Sequence, residues 1–225
     1  MKRTLQIIKL PDLISVANGV LGYAACLMAL ENFLSMAAAT IIFASILDGI
    51  DGTVARKIEF SDIGRVLDSF SDLISFGVAP ALMVYRLNSS ELSIAVSSAF
   101  VICGALRLAR FTLMTSENFL GFPITASGVL VSLLYLTGAP SFLIILSMTV
   151  FSVLMISEVE YVKIRDLRAL TLLLLLLIMT ISGTLLSLEK LSRISASLSL
   201  LLVLLYLISP LFGGFFNGGK RTGPV

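Results

Sequence analysis

The feature that leaves this chain least freedom is a succession of apolar stretches, each close to the roughly 20 residues a helix needs to cross a bilayer, with charge gathered mainly near their ends. Stretches of that length read as membrane-spanning helices. They fall at 11–30, 33–57, 64–87, 91–113, 124–138, 140–157, 167–188 and 194–212. The predicted fold is therefore all-α, a polytopic membrane bundle of about eight transmembrane helices. Hydrophobic residues make up 57% and charged residues 13% of the 225 positions, about half the charge of a soluble domain. The chain reads as one domain over 1–212, with residues 213–225 a disordered cytoplasmic tail rich in glycine. No cleavable leader and no separate soluble domain are expected.

Basic residues orient the bundle. With the N-terminus in the cytoplasm and the spans alternating, the cytoplasmic side receives Lys2, Arg3, Lys9, Arg56, Lys57, Arg65, Arg107, Arg110, Lys163, Arg165, Arg168, Lys220 and Arg221. The opposite side receives only Arg86, Lys190 and Arg193. This bias predicts a cell-membrane protein with both termini cytoplasmic. Histidine is absent, which excludes His-based zinc sites, Ser-His-Asp triads and histidine proton relays. Cys26 and Cys103 lie far apart within apolar segments and read as packing residues. No nucleic-acid partner is expected.

Against this background, six of the fourteen carboxylates crowd between residues 48 and 72. Asp48 and Asp51 are three apart and Asp68 and Asp72 four apart, so on helices each pair shares a face. The second helix runs fifteen residues (33–47) before Asp48, and the third runs fifteen (73–87) after Asp72. Each run spans roughly 22 Å, which puts both pairs at one level, near the cytoplasmic headgroup boundary. A short connection at about 58–63 makes the two helices antiparallel neighbours, and the four aspartates converge. Ionisable groups at such depth mark functional sites. Without a cation they would repel and some would protonate. Oxygen-only ligands suit Mg²⁺, Mn²⁺ or Ca²⁺, and paired hard cations serve phosphoryl transfer. At this depth the substrate would be a lipid phosphate or pyrophosphate. Gly49 and Gly52 lower the side-chain wall beside the aspartates, and Arg56 shares the face of Asp48, where a guanidinium can grip phosphate. Asp12 reads as a helix cap.

The pattern Asp48-x-x-Asp51-Gly52-x-x-Ala55-Arg56, then Gly64-x-x-x-Asp68-x-x-x-Asp72, resembles the signature of the CDP-alcohol phosphotransferases. The seven-residue spacer between its halves is one shorter than in many members. The resemblance implies a six-helix core, a homodimer, and a site for two divalent cations, Mg²⁺ or Mn²⁺. By it Asp48, Asp51, Asp68 and Asp72 bind metal and Asp72 is also the general base. Asn18, Gly52, Arg56 and Ser61 would meet the CDP-lipid donor. Where the family's first helix often begins Pro-Asn-x-x-Thr-x-x-Asn, this chain has Pro11-Asp12-x-x-Ser15-x-x-Asn18. The implied reaction is in-line attack of an alcohol on the lipid-side phosphorus, with release of CMP.

Arg107-Leu-Ala-Arg110-Phe111, followed by Gly121-Phe122-Pro123, resembles the serine-using branch of that family. That branch implies L-serine as acceptor, its carboxylate met by Arg107 and Arg110. Glycerol 3-phosphate or inositol phosphate would also suit two arginines, and a cation-coupled transporter is the alternative from another class. The last two helices, with an unbroken leucine run at 172–177, fit the serine branch but carry no visible chemistry. Residues 158–168, with both signs of charge, read as a solvated loop.

Overall fold

The computed structural model describes residues 9–55, 63–113, 119–161 and 167–216. The described residues form eight helices: α1 (Leu10–Leu30), α2 (Leu34–Ala55), α3 (Gly64–Leu87), α4 (Glu91–Leu113), α5 (Ile124–Leu136), α6 (Ser141–Ile156), α7 (Leu167–Leu185) and α8 (Glu189–Phe216). Four of the described segments, Asp12–Leu30, Gly64–Leu87, Glu91–Leu113 and Arg168–Leu185, are long and apolar enough to cross a bilayer. This is the polytopic helical membrane fold that the apolar stretches predict. It also contains one element they do not, a two-residue antiparallel pairing of β1 (Phe119–Leu120) with β2 (Glu160–Tyr161).

Local chemistry sets the turns. The Lys9 N–H donates to Asp12 Oδ2 at 2.7 Å, so Asp12 closes the start of α1. Asn32 takes a left-handed conformation (φ 66°) and turns α1 tightly into α2. Gly138 (φ +80°) does the same between α5 and α6. The last helix begins at Glu189, five residues before the expected 194, and continues to Phe216, past the expected end at 212. Ser187 (φ 56°) completes the reversal from α7, and the Leu188 N–H donates to Gly183 O at 2.8 Å. Helix can therefore start at once, and Glu189 in its first turn suits the positive end of the helix dipole. The charges at 189–193 read as loop in the sequence, yet they form the first turns of α8.

The centre of the bundle is built on small residues. Ala25, Ala29, Ala37, Ala38, Ala44 and Ala79 are all buried where α1, α2 and α3 meet, which brings backbones close as membrane packing favours. A β-carbon at Gly22 would overlap Ser75, with the Ser75 Cα at 2.6 Å, so α1 and α3 touch almost backbone to backbone there. The two helices run parallel. Immediately after Asp72, α3 widens into a π-helical stretch, Leu73–Val78. Pro80 follows two residues later and lacks the N–H that would bond Phe76 O; the wider turn also makes room for its ring. Beyond this core, α7 packs on α2 and α8 on α5.

Candidate active site

Each half of the carboxylate motif enters from its own helix. Asp48 lies near the end of α2, and Asp68 and Asp72 lie in the first turns of the antiparallel α3. The fold brings one oxygen of each to within 4.8 Å of the others. At such separations each pair of like charges repels by about 3 to 4 kcal/mol at an effective dielectric of about 20. Three ionised carboxylates are stable so close only with positive charge between or beside them. The donor set is all oxygen, in a chain without histidine, and it fits a hard divalent cation such as Mg²⁺ or Mn²⁺. Asp51 and Gly52 continue α2, but their side-chain surroundings, and Arg56 and Ser61 altogether, lie outside the described residues.

Each of the three carboxylates accepts a hydrogen bond from a neutral side chain on another helix. Ser15 Oγ of α1 donates to Asp68 Oδ1 at 3.3 Å. Asn18 Nδ2 of α1 donates to Asp72 Oδ1 at 3.1 Å. Thr125 Oγ1 of α5 donates to Asp48 Oδ2 at 3.3 Å. Asn18, expected on the donor, is fully buried and donates to Asp72. Its backbone carbonyl accepts from Ser75 Oγ at 2.8 Å, which ties α1 to the π stretch. Ser15 stands where the family often has threonine and keeps a hydroxyl on Asp68. The sequence reading missed Thr125. The available signal was a hydroxyl in the first turn of an otherwise apolar helix, right after Pro123.

A cavity of about 480 Å³ opens over the carboxylates. Arg107 reaches its wall from α4; it is 7% exposed and lies 5.5 Å from the centre of the Phe111 ring, a cation–π contact. Arg65, one turn before Ser69, borders the same space. So does the first turn of α5, through Pro123, Thr125 and Ala126. A helix N-terminus there adds partial positive charge facing anions. A β-carbon at Gly49 would meet nothing within 4 Å, in line with a lowered wall beside Asp48.

The two arginines of α4, expected to form one basic face, diverge. The Arg110 guanidinium turns away and donates to four backbone carbonyls: Leu120 at 2.9 Å, Ser157 at 3.1 Å, Met155 at 3.3 Å and Ile156 at 3.4 Å. It joins the end of α6 to β1. Gly121 completes the joint at φ +77°, where a β-carbon would strike Met155 O and lie 2.7 Å from the Arg110 guanidinium. Phe122 is buried beneath, its ring 5.9 Å from Phe151 and 5.3 Å from Tyr161. The same burial raises the Tyr161 phenol pKa above its ordinary value. Part of the stretch read as a solvated loop is thus a packed support for the start of α5. Val159, its side chain exposed, adds a backbone contact: its carbonyl accepts the Gly121 N–H at 2.9 Å.

Comparison with known proteins places the sequence among relatives. The family profile described as CDP-alcohol phosphatidyltransferase matches residues 8–159. The chain is 40% identical over 171 residues to an archaetidylserine synthase of Methanothermobacter thermautotrophicus, covering 72% of this chain and 73% of that protein. It is 40% identical over 161 residues to a CDP-diacylglycerol–serine O-phosphatidyltransferase of Methanocaldococcus jannaschii, covering 70% and 76%. A protein of the same name from Bacillus subtilis is 34% identical over 158 residues, covering 68% and 89%.

Proposed function

This chain belongs to the CDP-alcohol phosphatidyltransferase family, and from that premise we propose that it transfers a phosphatidyl-type group from a CDP-lipid to the hydroxyl of L-serine and releases CMP. The observation that carries this reading is the trio Asp48, Asp68 and Asp72, held within 4.8 Å in a cavity that a buried arginine also borders. The names of the relatives support serine as the acceptor.

Asp48, Asp68 and Asp72, with Asp51 from the motif, would hold two divalent cations. When bound, these supply positive charge against the diphosphate of the donor and stabilise the leaving phosphate. Asp72 accepts the proton of the serine hydroxyl at a carboxylate oxygen. Asn18 fixes one Asp72 oxygen and so sets the direction in which the carboxylate meets the alcohol. The serine oxygen forms its bond to the lipid-side phosphorus in line with the bond that breaks, and CMP departs with that electron pair. Arg107 binds the serine carboxylate, its guanidinium already oriented over Phe111. Arg110 keeps the start of α5 in place rather than touching serine. Gly52, Arg56 and Ser61 are assigned to the cytidine diphosphate from the motif alone. The distribution of basic residues favours a cytoplasmic site, and a homodimer follows from the resemblance.

The test is CMP release by the purified protein with a CDP-lipid and Mg²⁺ or Mn²⁺, offering serine, glycerol 3-phosphate and inositol phosphate separately. Release with serine alone is expected, and Asp72→Asn should abolish it while sparing donor binding. Release with another acceptor instead would discard the serine assignment. Release with none, from folded protein, would discard the transferase reading in favour of cation-coupled transport.

A further inference from the structure

The family match ends at residue 159, before α7 begins at Leu167. Nevertheless the cavity over the carboxylates is walled on one side by Leu173 and Leu177 of α7 and by Leu202 and Val203 of α8. The leucine run 172–177 splits accordingly. Leu172, Leu174 and Leu175 face outward at 50%, 39% and 55% exposure, whereas Leu176 and Leu177 are buried and Leu173 is half-buried on the cavity.

This wall has a direction. The turn between α7 and α8 sits beside Ser35 and Met36 at the start of α2, the end remote from Asp48. The chain from Leu173 to Leu177 therefore runs from the carboxylate level toward the middle of the bundle, one turn deeper. The wall is also held firmly. Thr180 donates to Ser195 at 3.0 Å, and the hydroxyls of Thr184 and Ser192 lie 2.9 Å apart. Gly183 meets the backbone of Ser192 so closely that an added β-carbon would lie 2.8 Å from its nitrogen. One cavity thus joins a polar end, with Asp48, Asp68, Asp72 and Arg107, to an apolar side that deepens into the membrane.

We infer that the α7–α8 hairpin is the hydrocarbon wall of the donor site: the chain segment next to the donor's diphosphate lies against Leu173, Leu177, Leu202 and Val203. The inference rests on the reading of the donor as a CDP-lipid. Its occupant is fixed by continuity, because an amphipathic molecule whose diphosphate reaches the carboxylates must place its first methylenes beside them. Water would gain no hydrogen bonds from these four side chains. A pair of helices outside the family match then determines which lipid chains the site accepts.

The chain contains no tryptophan, so Leu173→Trp places a single tryptophan on this wall, excited selectively over the tyrosines, and Leu174→Trp places one on the outer face as a control. Each full-length variant, in detergent–lipid micelles, is titrated with a CDP-lipid brominated near its glycerol end. Leu173→Trp should lose fluorescence in a saturable way with the brominated CDP-lipid but not with a brominated ordinary phospholipid, and unbrominated CDP-lipid should restore it. Leu174→Trp should show only non-saturable quenching, the same with either brominated lipid. Should Leu173→Trp fail to fold, Leu202→Trp probes the same wall from α8. Identical, non-saturable quenching at the inner and outer positions, in protein that releases CMP, would overturn the wall. Saturable quenching without any CMP release to serine would keep the wall and discard serine as acceptor. Neither quenching nor CMP release would remove the lipid-donor reading, and the wall with it.

Discussion

Replacing Arg110 by alanine separates two roles that sequence spacing cannot distinguish. The guanidinium donates to Leu120 O and Ser157 O at 2.9 and 3.1 Å and more weakly to Met155 O and Ile156 O. A hydrogen bond from a charged group contributes about 1.5–3 kcal/mol net where water is excluded. The site is only partly buried, so the two short bonds and two long ones together are worth roughly 3 kcal/mol. For a chain of this size that corresponds to a fall in melting temperature on the order of 6–12 °C. Arg110→Lys keeps the charge but loses the planar fork, and one ammonium cannot reach carbonyls on both α6 and β1 with the same geometry. It should fall between wild type and alanine. The assay is a helical-signal melt in detergent, followed by steady-state kinetics varying serine and donor separately. The joint predicts a lower melting temperature and lower kcat, with the KM values for serine and donor moved together. An Arg110→Ala protein with unchanged melting and only a raised serine KM would refute this reasoning and restore the pair of arginines as an acceptor clamp.

Thr125→Val keeps the shape of the side chain but removes the donor on Asp48 Oδ2; loss of such an outer-sphere contact typically costs 10- to 100-fold in metal affinity or activity, so activity should require about tenfold more divalent cation, and Thr125→Ser should restore it. An unchanged cation titration would dismiss Thr125. Gly22→Leu would force α1 away from Ser75 and should destabilise by more than the 1–3 kcal/mol or so of ordinary overpacking, because backbone atoms stand in the way. Arg107→Ala should raise the KM for serine far more than that for donor, with little change in melting; equal effects on both would refute it as the carboxylate contact.

What the sequence disclosed follows from what is periodic in it. The eight helices were legible because lipid demands long apolar runs, and Asp48, Asp68 and Asp72 because their spacing fixes a shared face whatever the packing. Contacts between segments far apart in the chain leave no such trace. Nothing local distinguishes Arg107 from Arg110, three residues apart; the difference arises because α6 ends beside Arg110 and offers it carbonyls. Thr125 looks like any polar residue at a helix start until α5 is laid against α2. The π stretch at Leu73–Val78 depends on Pro80 acting together with packing against α1 and α5. The leucine run of α7 was legible as a span, but which leucines turn to the cavity depends on how α7 lies on α2.

The packing of α1 explains the chemistry of the carboxylates as much as it explains stability. Serine and asparagine are short, so Ser15 and Asn18 reach Asp68 and Asp72 only if the α1 and α3 backbones lie unusually close. Glycine at 19 and 22 permits that approach, with Ser71 and Ser75 opposite. A neutral donor fixes a carboxylate oxygen without cancelling its charge, whereas an added basic side chain there would compete with a cation. The hydroxyl and amide of α1 and the hydroxyl of α5 thus each fix one oxygen of the three carboxylates without adding charge of their own. The close approach that Gly19 and Gly22 permit is what lets short side chains reach the carboxylates, so glycines without a functional group of their own belong to the working of the site.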